Sequence, residues 1–184
     1  MKQLIQITNK NILKLFLVAS LLFIISACGD DSNPTDNDDN KNSSGTTLTI
    51  NGDGWSNKSL TVETSVATYA TVSQMTVVNV SFNEDVQMLI YVNGGKSGTY
   101  NFKEVESGQG NGITLTSGSG ETGKYYFWKD NSGSVTISSY GSVGGKVSGT
   151  FTGKLYNATT DAEITITGTF NAMRTVDVPT SALN

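Results

Sequence analysis

Few side chains in this sequence could perform covalent chemistry. The 184 residues contain no histidine and a single cysteine, Cys28. Nucleophilic catalysis of the Ser-His-Asp or Cys-His type needs an imidazole that activates the nucleophile, and histidine is a principal ligand of catalytic zinc. The composition therefore excludes these mechanisms, and we expect neither a metal site nor a cofactor.

Pairs of carboxylates are the remaining candidates for catalysis. Two carboxyl groups on opposite sides of a glycosidic bond can act as general acid and as base or nucleophile. Every such pair in the sequence lies at or beside a predicted turn, where charged side chains are normally solvated. The pairs are Glu84 with Asp85, Glu104 with Glu106, and Asp161 with Glu163. We therefore predict no catalytic residues, and a glycan-active enzyme is the least favoured function hypothesis.

The segment before Cys28 has the three parts of a secretory signal. Lys2, Lys10 and Lys14 give a basic start, an apolar run covers residues 15–25, and two small residues precede the cysteine. The run amounts to only about 16 Å of helix, whereas the hydrocarbon core of a bilayer is ~30 Å thick. We therefore predict that residues 1–27 are a removable signal peptide and not a membrane-spanning helix.

The four residues Ile25-Ser26-Ala27-Cys28 resemble the bacterial lipobox. This resemblance implies that Cys28 is lipidated, becomes the first residue of the mature protein and attaches it to a membrane. A thiolate is the side-chain nucleophile suited to form a stable thioether with a lipid donor. One acyl chain binds a membrane only marginally, but the three chains implied here anchor a protein permanently. Lipidation also explains a leftover cysteine in an exported chain.

Residues 28–45 are predicted to form a disordered acidic tether. Between positions 29 and 45 no residue is aliphatic or aromatic, and five aspartates accompany one lysine. Such a segment cannot bury enough apolar surface to offset the entropy lost on ordering, and as a flexible coil it would span roughly 20–25 Å. Asp30 and Asp31 resemble the export signal of Bacteroidota lipoproteins, which implies the outer face of the outer membrane. A periplasmic location is the open alternative.

The charge of the mature chain limits its partners. Removing the three lysines of the signal leaves nine basic and sixteen acidic residues, a net charge of −7. This balance argues against nucleic acid as a partner and against charge-driven adhesion to anionic lipid headgroups. We therefore expect contact with the membrane through the lipid on Cys28.

Residues 46–184 are predicted to form one all-β domain, long enough for its own core. Period-2 alternation, abundant Thr, Val and Tyr, and glycine-containing breaks dominate, and no stretch shows a 3.6-residue period. The short connections favour an antiparallel β-sandwich, with a β-barrel as the alternative. The predicted strands cover residues 47–50, 59–64, 66–71, 74–82, 86–92, 99–102, 112–116, 124–128, 134–139, 146–156 and 163–173.

The last two predicted strands form a hairpin whose register the sequence can specify. Their inward positions combine apolar residues with glycines, and threonines and charges occupy the other face. A symmetric loop over residues 157–162 pairs Tyr156 with Glu163, Phe151 with Gly168, and Gly149 with Phe170. Each phenylalanine ring would then cover a glycine on the facing strand, a pairing that stabilises strand glycines. We interpret the motifs Ser148-Gly-Thr-Phe151 and Thr167-Gly-Thr-Phe170 as packing devices and not as a ligand site.

Three glycine-containing strand motifs broaden the resemblance. They are Gly133-Ser-Val-Thr-Ile-Ser138, Gly144-Gly-Lys-Val-Ser-Gly-Thr-Phe151 and Ile164-Thr-Ile-Thr-Gly-Thr-Phe170. Together they resemble the C-terminal half of a family of small uncharacterised β-rich lipoproteins of the Bacteroidota type, over the last third of the chain. The resemblance implies an all-β fold and an envelope location, and it implies no activity.

The run Tyr125-Tyr126-Phe127-Trp128 is the one place where the sequence offers a ligand surface. Alternation puts Tyr126 and Trp128 on one face of a strand and the other two rings on the opposite face, so one pair should stay partly open. The charged residues that flank the run share the parity of Tyr126 and Trp128. We therefore predict that Tyr126 and Trp128 face outward as a ligand-binding pair on which sugar rings could stack. Packing of these rings in the core is the alternative.

Two functions fit these features. The first is a binding module displayed on a lipid tether, whose partner is a glycan, a surface protein or another envelope component. The second is a structural envelope lipoprotein with no soluble ligand. An exposed aromatic platform would favour the binding module, and an exposed hydrophobic edge or patch would favour the structural role.

Overall fold

The computed structural model describes residues 45–103, 110–120 and 123–179. Every named element in these ranges is a β-strand, which confirms the predicted all-β fold. Within the same ranges, no helix is long and apolar enough to cross a membrane. Cys28, the signal peptide, nearly all of the tether and the pair Glu104 and Glu106 lie outside the described residues. Lipidation, export and the tether therefore stay predictions.

Ten strands form the described part of the domain, and they are numbered in chain order. Most of them agree with the predicted strands to within two residues at each end. Their bounds are β1 Thr47–Gly52, β2 Trp55–Leu60, β3 Val62–Ala70, β4 Met75–Phe82, β5 Val86–Asn93, β6 Gly98–Asn101, β7 Gly112–Ser117, β8 Lys124–Tyr140, β9 Lys146–Asn157 and β10 Glu163–Arg174.

The long strand β8 replaces two strands that the sequence predicted over residues 124–128 and 134–139. Turn-forming residues between them suggested a break, and Asn131 does take a left-handed φ of 59°. A shift of register between Trp128 and Gly133 absorbs the irregular residues, so pairing with β9 continues on both sides. The Asn131 N–H donates to the carbonyl oxygen of Phe102 at 2.9 Å, which ties the bulge to the chain beside it.

A second difference concerns the strand predicted over residues 59–64, which spans the end of β2 and the start of β3. The chain passes from one strand to the other at Thr61. The Thr61 N–H donates to Oδ1 of Asn83 at 3.0 Å, and the Asn83 N–H donates back to the carbonyl oxygen of Thr61 at 3.0 Å. Because the β4–β5 turn holds Thr61 in this way, the backbone leaves one pairing and begins the next without a loop.

The strands form one hydrogen-bonded network in which seven of them close a circuit. Around the circuit the order is β3, β4, β5, β7, β8, β9 and β10, and β10 returns to β3. All pairings between named strands are antiparallel except that of β3 with β10, which covers two residue pairs. β10 also pairs with β1, which carries β2 on its far side, and β6 pairs with the second half of β8. This arrangement is compatible with both the sandwich and the barrel that the sequence predicted.

The core lies inside the circuit, where every second residue of each strand points inward. In the adjacent strands β4 and β5, Val78, Val80, Met88 and Ile90 are all 0% exposed. Aromatic rings fill the space over strand glycines: a Cβ built on Gly133 or on Gly153 would lie 2.5 Å from the ring of Phe102. The aromatic rings of the core therefore occupy the space that side chains on these glycines would need.

The predicted register of the last hairpin is confirmed. β9 and β10 pair with Tyr156 opposite Glu163, Phe151 opposite Gly168, and Gly149 opposite Phe170. A Cβ built on Gly149 would lie 2.7 Å from Cζ of Phe170. A Cβ built on Gly168 would lie 2.7 Å from Cζ of Phe151. Each ring therefore occupies the space that a side chain on the facing glycine would need.

Candidate binding surface

Tyr126 and Trp128, the pair predicted to face outward, are buried. Tyr126 is 0% exposed and Trp128 is 8% exposed. The predicted orientation is therefore wrong, and these two rings offer no surface on which sugars could stack. The expectation that one pair of the run stays partly open is confirmed, but the open pair is Tyr125, at 39% exposed, with the half-buried Phe127.

The flanking charges misled the prediction because Lys124, the first residue of β8, is exposed although its side chain shares a partner with the buried Tyr126. Nζ of Lys124 contacts Oδ2 of Asp53, in the β1–β2 turn, at 3.2 Å. The Tyr126 hydroxyl donates a hydrogen bond to the same carboxylate oxygen at 2.6 Å. These contacts hold the pKa of Asp53 below its usual value, the Tyr126 hydrogen bond being the largest cause. At the C-terminal end of the aromatic run, the pairing register shifts after Trp128, so Asp130 no longer has to lie on the same face as Trp128.

Trp128 packs where β7 and β8 separate, since these strands pair only through residues 115–117 of β7. The indole lies so close to Gly112 that a Cβ at that position would overlap the ring. Its centroid is 5.8 Å from that of Tyr91, which is also buried. Among the described residues, the buried Nε1–H of Trp128 has no hydrogen-bond partner. Trp128 is therefore a core residue, as the packing alternative holds.

The partly open aromatic pair has a neighbour in Tyr156, which lies opposite Phe127 on β9. Three adjacent rings on one outer face could in principle form a sugar-stacking platform. However, Nζ of Lys129 lies 3.8 Å from the centroid of Tyr156. The same Nζ contacts Oδ1 of Asp161 at 2.8 Å. A cation therefore covers one face of the Tyr156 ring, and the three rings do not form an open platform.

Three of the four described carboxylates of the candidate catalytic pairs are engaged with lysines at the surface. Glu84 and Asp85 lie in the β4–β5 turn, both with left-handed φ. The ion pairs are Lys58 with Glu84 at 2.7 Å, Lys129 with Asp161 at 2.8 Å, and Lys154 with Glu163 at 2.9 Å. All of these side chains are substantially exposed. Among the residues that the structure describes, no group of three His, Cys, Asp or Glu could hold a metal ion.

An open groove with a volume of about 580 Å³ crosses the outer face of the adjacent strands β1, β10, β9 and β8. We call it the hydroxyl groove, because eight of its ten lining residues are threonine or serine. The lining residues are Thr47, Thr49, Ser134, Thr136, Thr150, Phe151, Thr152, Thr167, Gly168 and Thr169.

Strand register arranges the hydroxyls of the groove in two parallel rows. Cross-strand partners lie side by side on one face, so each row takes one residue from each of the four strands. The first row is Thr47, Thr169, Thr150 and Thr136, and the second row is Thr49, Thr167, Thr152 and Ser134. On β6, Thr99 extends the first row beyond Thr136.

The floor of the hydroxyl groove is the row of residues between the two hydroxyl rows. Leu48, Gly168, Phe151 and Val135 pair in this order across the same four strands. Gly168 has no side chain, and Phe151 points inward and is 3% exposed. A ligand in the groove would therefore meet peptide backbone below it and hydroxyls along both sides.

The two hydroxyl rows differ in their hydrogen bonds. In the first row, Oγ1 of Thr47 and Oγ1 of Thr169 are 3.0 Å apart, and Oγ1 of Thr136 is 3.0 Å from Oγ1 of Thr99. In the second row, no hydroxyl has a hydrogen-bond partner within the described part of the chain. Since a hydroxyl can donate one hydrogen bond and accept two, the described contacts leave the second row more capacity to bind a ligand than the first.

The hydroxyl groove is also electrically neutral, because none of its lining residues is charged. Beyond Thr152 on β9, the next outward residue is Lys154, and it is paired with Glu163. Threonine is branched at Cβ and restricted in χ1, so its hydroxyl and methyl groups keep a fixed arrangement on the strand. The groove is thus a neutral surface of regularly placed hydroxyls.

The hydroxyl groove could not be predicted from the sequence. Its local signal is the repeated spacing Thr-x-Thr, as in Thr47-Leu-Thr49, Thr150-Phe-Thr152 and Thr167-Gly-Thr169. Threonine is common in strands because its branched side chain suits a pleated, half-buried surface. The spacing therefore becomes specific only when the register places the motifs of different strands next to one another.

Comparison of the chain with protein-family models, with curated proteins and with solved structures finds no match. The resemblance to β-rich lipoproteins stays a prediction from the sequence motifs. Function must therefore be inferred from the described surface and the sequence.

Proposed function

We propose that this chain is an exported lipoprotein that displays its all-β domain as a binding module on the outer surface of the outer membrane. Cys28 would carry the lipid, and the acidic segment that follows would act as the tether. The binding site is the hydroxyl groove, and we propose no enzymatic activity. The lipobox, the signal-like residues 1–27 and the lone cysteine support the location. The groove supports the binding role.

The observation that carries the binding role is the second hydroxyl row. Four adjacent strands each present one hydroxyl there, and none of the four has a partner among the described residues. Groups held in place by rigid strands lose little conformational entropy when they bind a ligand. Soluble surfaces usually intersperse charged side chains of both signs. A groove without a single charge is therefore better suited to an uncharged ligand than to solvation alone.

A structural envelope lipoprotein is the alternative, and it would be supported by an open edge or a hydrophobic patch. The edge strand β2 contains Asn57, with a φ of 45°, next to Lys58, and such features discourage pairing with a further strand. The opposite edge strand, β6, has only four residues. Among the described residues, the large hydrophobic side chains that are exposed are four valines and one tyrosine: Val66, Val72, Tyr125, Val143 and Val176. Binding is therefore the better supported role.

The location is tested by metabolic labelling with a fatty-acid probe in cells that make the full chain. The wild type should carry the label and Cys28→Ala should not, because the thiolate is the acceptor of the lipid. Protease added to intact cells should release a domain fragment, since a tether without packed residues is open to cleavage. Equal labelling of both forms would refute lipidation, and cleavage only after the outer membrane is opened would place the domain in the periplasm.

The binding role is tested with cells that display the wild type or the double variant Thr152→Val/Thr167→Val. Valine keeps the branched shape and strand propensity of threonine but removes the hydroxyl. Cells with the wild type should be retained on insoluble material from their own culture several-fold better than cells with the double variant. Thr64→Val on β3 is the matched control, because Thr64 is exposed and lies outside the groove. Equal retention of wild type and double variant would refute the groove as the site.

A further inference from the structure

We propose that the hydroxyl groove binds a neutral polysaccharide in an extended conformation, whose chain runs across the strands at about one sugar ring per strand. This inference rests on the proposed binding role of the groove and names the class of its ligand. Three features support this ligand class: the direction in which the groove runs, the spacing of its hydroxyls and its lack of charged residues.

The shape of the hydroxyl groove sets the direction of a ligand. Four strands at a spacing of ~4.8 Å give a length of about 14 Å, and the two rows on each strand are ~6.7 Å apart. The floor between the rows runs from Leu48 on β1 to Val135 on β8, and the side chains of the floor residues point into the core and not into the groove. A long, narrow ligand therefore fits with its axis across the strands and with both of its edges against hydroxyls.

The repeat of the hydroxyls matches a chain of linked sugar rings. An extended polysaccharide advances by one ring over a distance close to the strand spacing of ~4.8 Å, so each ring can meet one hydroxyl from each row. Threonine and sugar hydroxyls both donate and accept, so successive rings can bind in either orientation. A polysaccharide chain can also follow the twist between neighbouring strands. A flat crystalline surface such as ice fits a twisted sheet less well than a flexible chain does.

The charge of the groove selects against anionic polysaccharides. No cation lines the groove to compensate a carboxylate or a sulfate, and Lys154 nearby is already paired with Glu163 at 2.9 Å. The mature sequence carries a net charge of −7, which would repel a polyanion. A neutral chain meets neither obstacle, and its hydroxyls can replace the water that solvates the second row.

Binding is expected to rely on hydroxyls and not on ring stacking. The one aromatic residue that lines the groove is Phe151, and it is 3% exposed. Tyr125, the exposed aromatic residue of β8, lies outside the groove. Each sugar ring therefore contributes only a small part of the binding free energy. Affinity should grow with the number of rings until the four strands are covered.

The test measures binding of the full chain, solubilised in detergent, to defined polysaccharides by affinity electrophoresis. The probes are linear glucomannan, which is neutral and extended, its carboxymethylated derivative, and amylose, which is neutral and coiled. We expect retardation by glucomannan alone. Thr152→Val/Thr167→Val should raise the dissociation constant about tenfold or more, as the loss of two hydrogen bonds implies. Thr64→Val and Tyr125→Ala should bind like the wild type.

A length series of glucomannan oligosaccharides provides a second measurement on the wild type. Affinity should rise from two rings to about four rings and then level off, because the groove crosses four strands. Equal binding of amylose or of the carboxymethylated chain, a loss of binding in Tyr125→Ala, or no binding to any polysaccharide would overturn the proposal. Adsorption of the protein to ice in place of polysaccharide would overturn it as well.

Separate results would refute the binding role of the groove and the polysaccharide as its ligand. Periodate cleaves sugar diols, whereas protease removes protein ligands, so the culture material used for the retention assay can be treated with each. If retention depends on Thr152 and Thr167 but is lost only after protease treatment, the polysaccharide proposal fails and the binding role stands. If neither hydroxyl affects retention or polysaccharide binding, both fail.

Discussion

Replacement of Gly149 by alanine perturbs the ring-over-glycine packing of the last hairpin directly. In a strand, alanine ordinarily gains ~0.5–1 kcal/mol over glycine, because the unfolded chain has less entropy to lose. Here the new Cβ would overlap the carbonyl oxygen of Thr136 and lie 2.7 and 2.9 Å from two ring carbons of Phe170. Overpacking costs ~1–3 kcal/mol, and the upper end applies because one obstructing atom belongs to the backbone. We therefore expect a net loss of about 2 kcal/mol.

Urea unfolding of the wild type and the variants measures this loss. Ser148→Ala is the matched control: it changes the neighbouring outward residue and should stay within about 0.5 kcal/mol of the wild type. Phe170→Ala alone should cost ~3–5 kcal/mol, and in that background Gly149→Ala should cost roughly 1 kcal/mol less than in the wild type. Two results would refute the idea that the Phe170 ring and a side chain at position 149 compete for one space. The first is a loss of unfolding free energy for Gly149→Ala no larger than that for Ser148→Ala. The second is that the losses for Gly149→Ala and Phe170→Ala simply add in the double variant.

Two further predictions concern the residues around the start of β8. Trp128→Ala should lower the free energy of unfolding by ~3–5 kcal/mol in a urea titration, because a buried ring is removed, and a loss under ~1 kcal/mol would contradict its place in the core. Because the folded-state pKa of Asp53 is lowered, its ionised form stabilises the fold above about pH 4, and this contribution is lost as the pH falls through the folded value. Unfolding free energies measured from pH 6 downward should therefore fall more steeply in the wild type than in Asp53→Asn, and equal slopes would show that the Tyr126 and Lys124 contacts do not matter for stability.

The parts of the fold that sequence analysis predicted depend on local pairing. The β9–β10 register follows from two strands joined by a short loop, so the facing of Phe151 and Gly168 could be deduced from position alone. Strand bounds were likewise accessible, because period-2 alternation is a local pattern. The break expected within β8 was wrong because a bulge at Asn131 keeps the strand in register with its partner.

The surface of the domain was harder to predict, because it depends on contacts between distant parts of the chain. The orientation of Tyr126 and Trp128 is set in part by Asp53, which lies 73 residues before Tyr126. The hydroxyl groove needs Thr47 beside Thr169, and these residues are 122 positions apart. No spacing rule within one strand contains that information. It becomes available only when the order of strands around the circuit is known.

The closure of the strand circuit by β10 has a consequence for the time course of folding. β10 pairs with β9, β1 and β3, so the first and third strands stay without these neighbours until the tenth is present. Pairings so distant along the chain carry a large loop-closure entropy and make folding slow. A chain that emerges N-terminus first can pair its local hairpins early, but it cannot complete the circuit until β10 has been made.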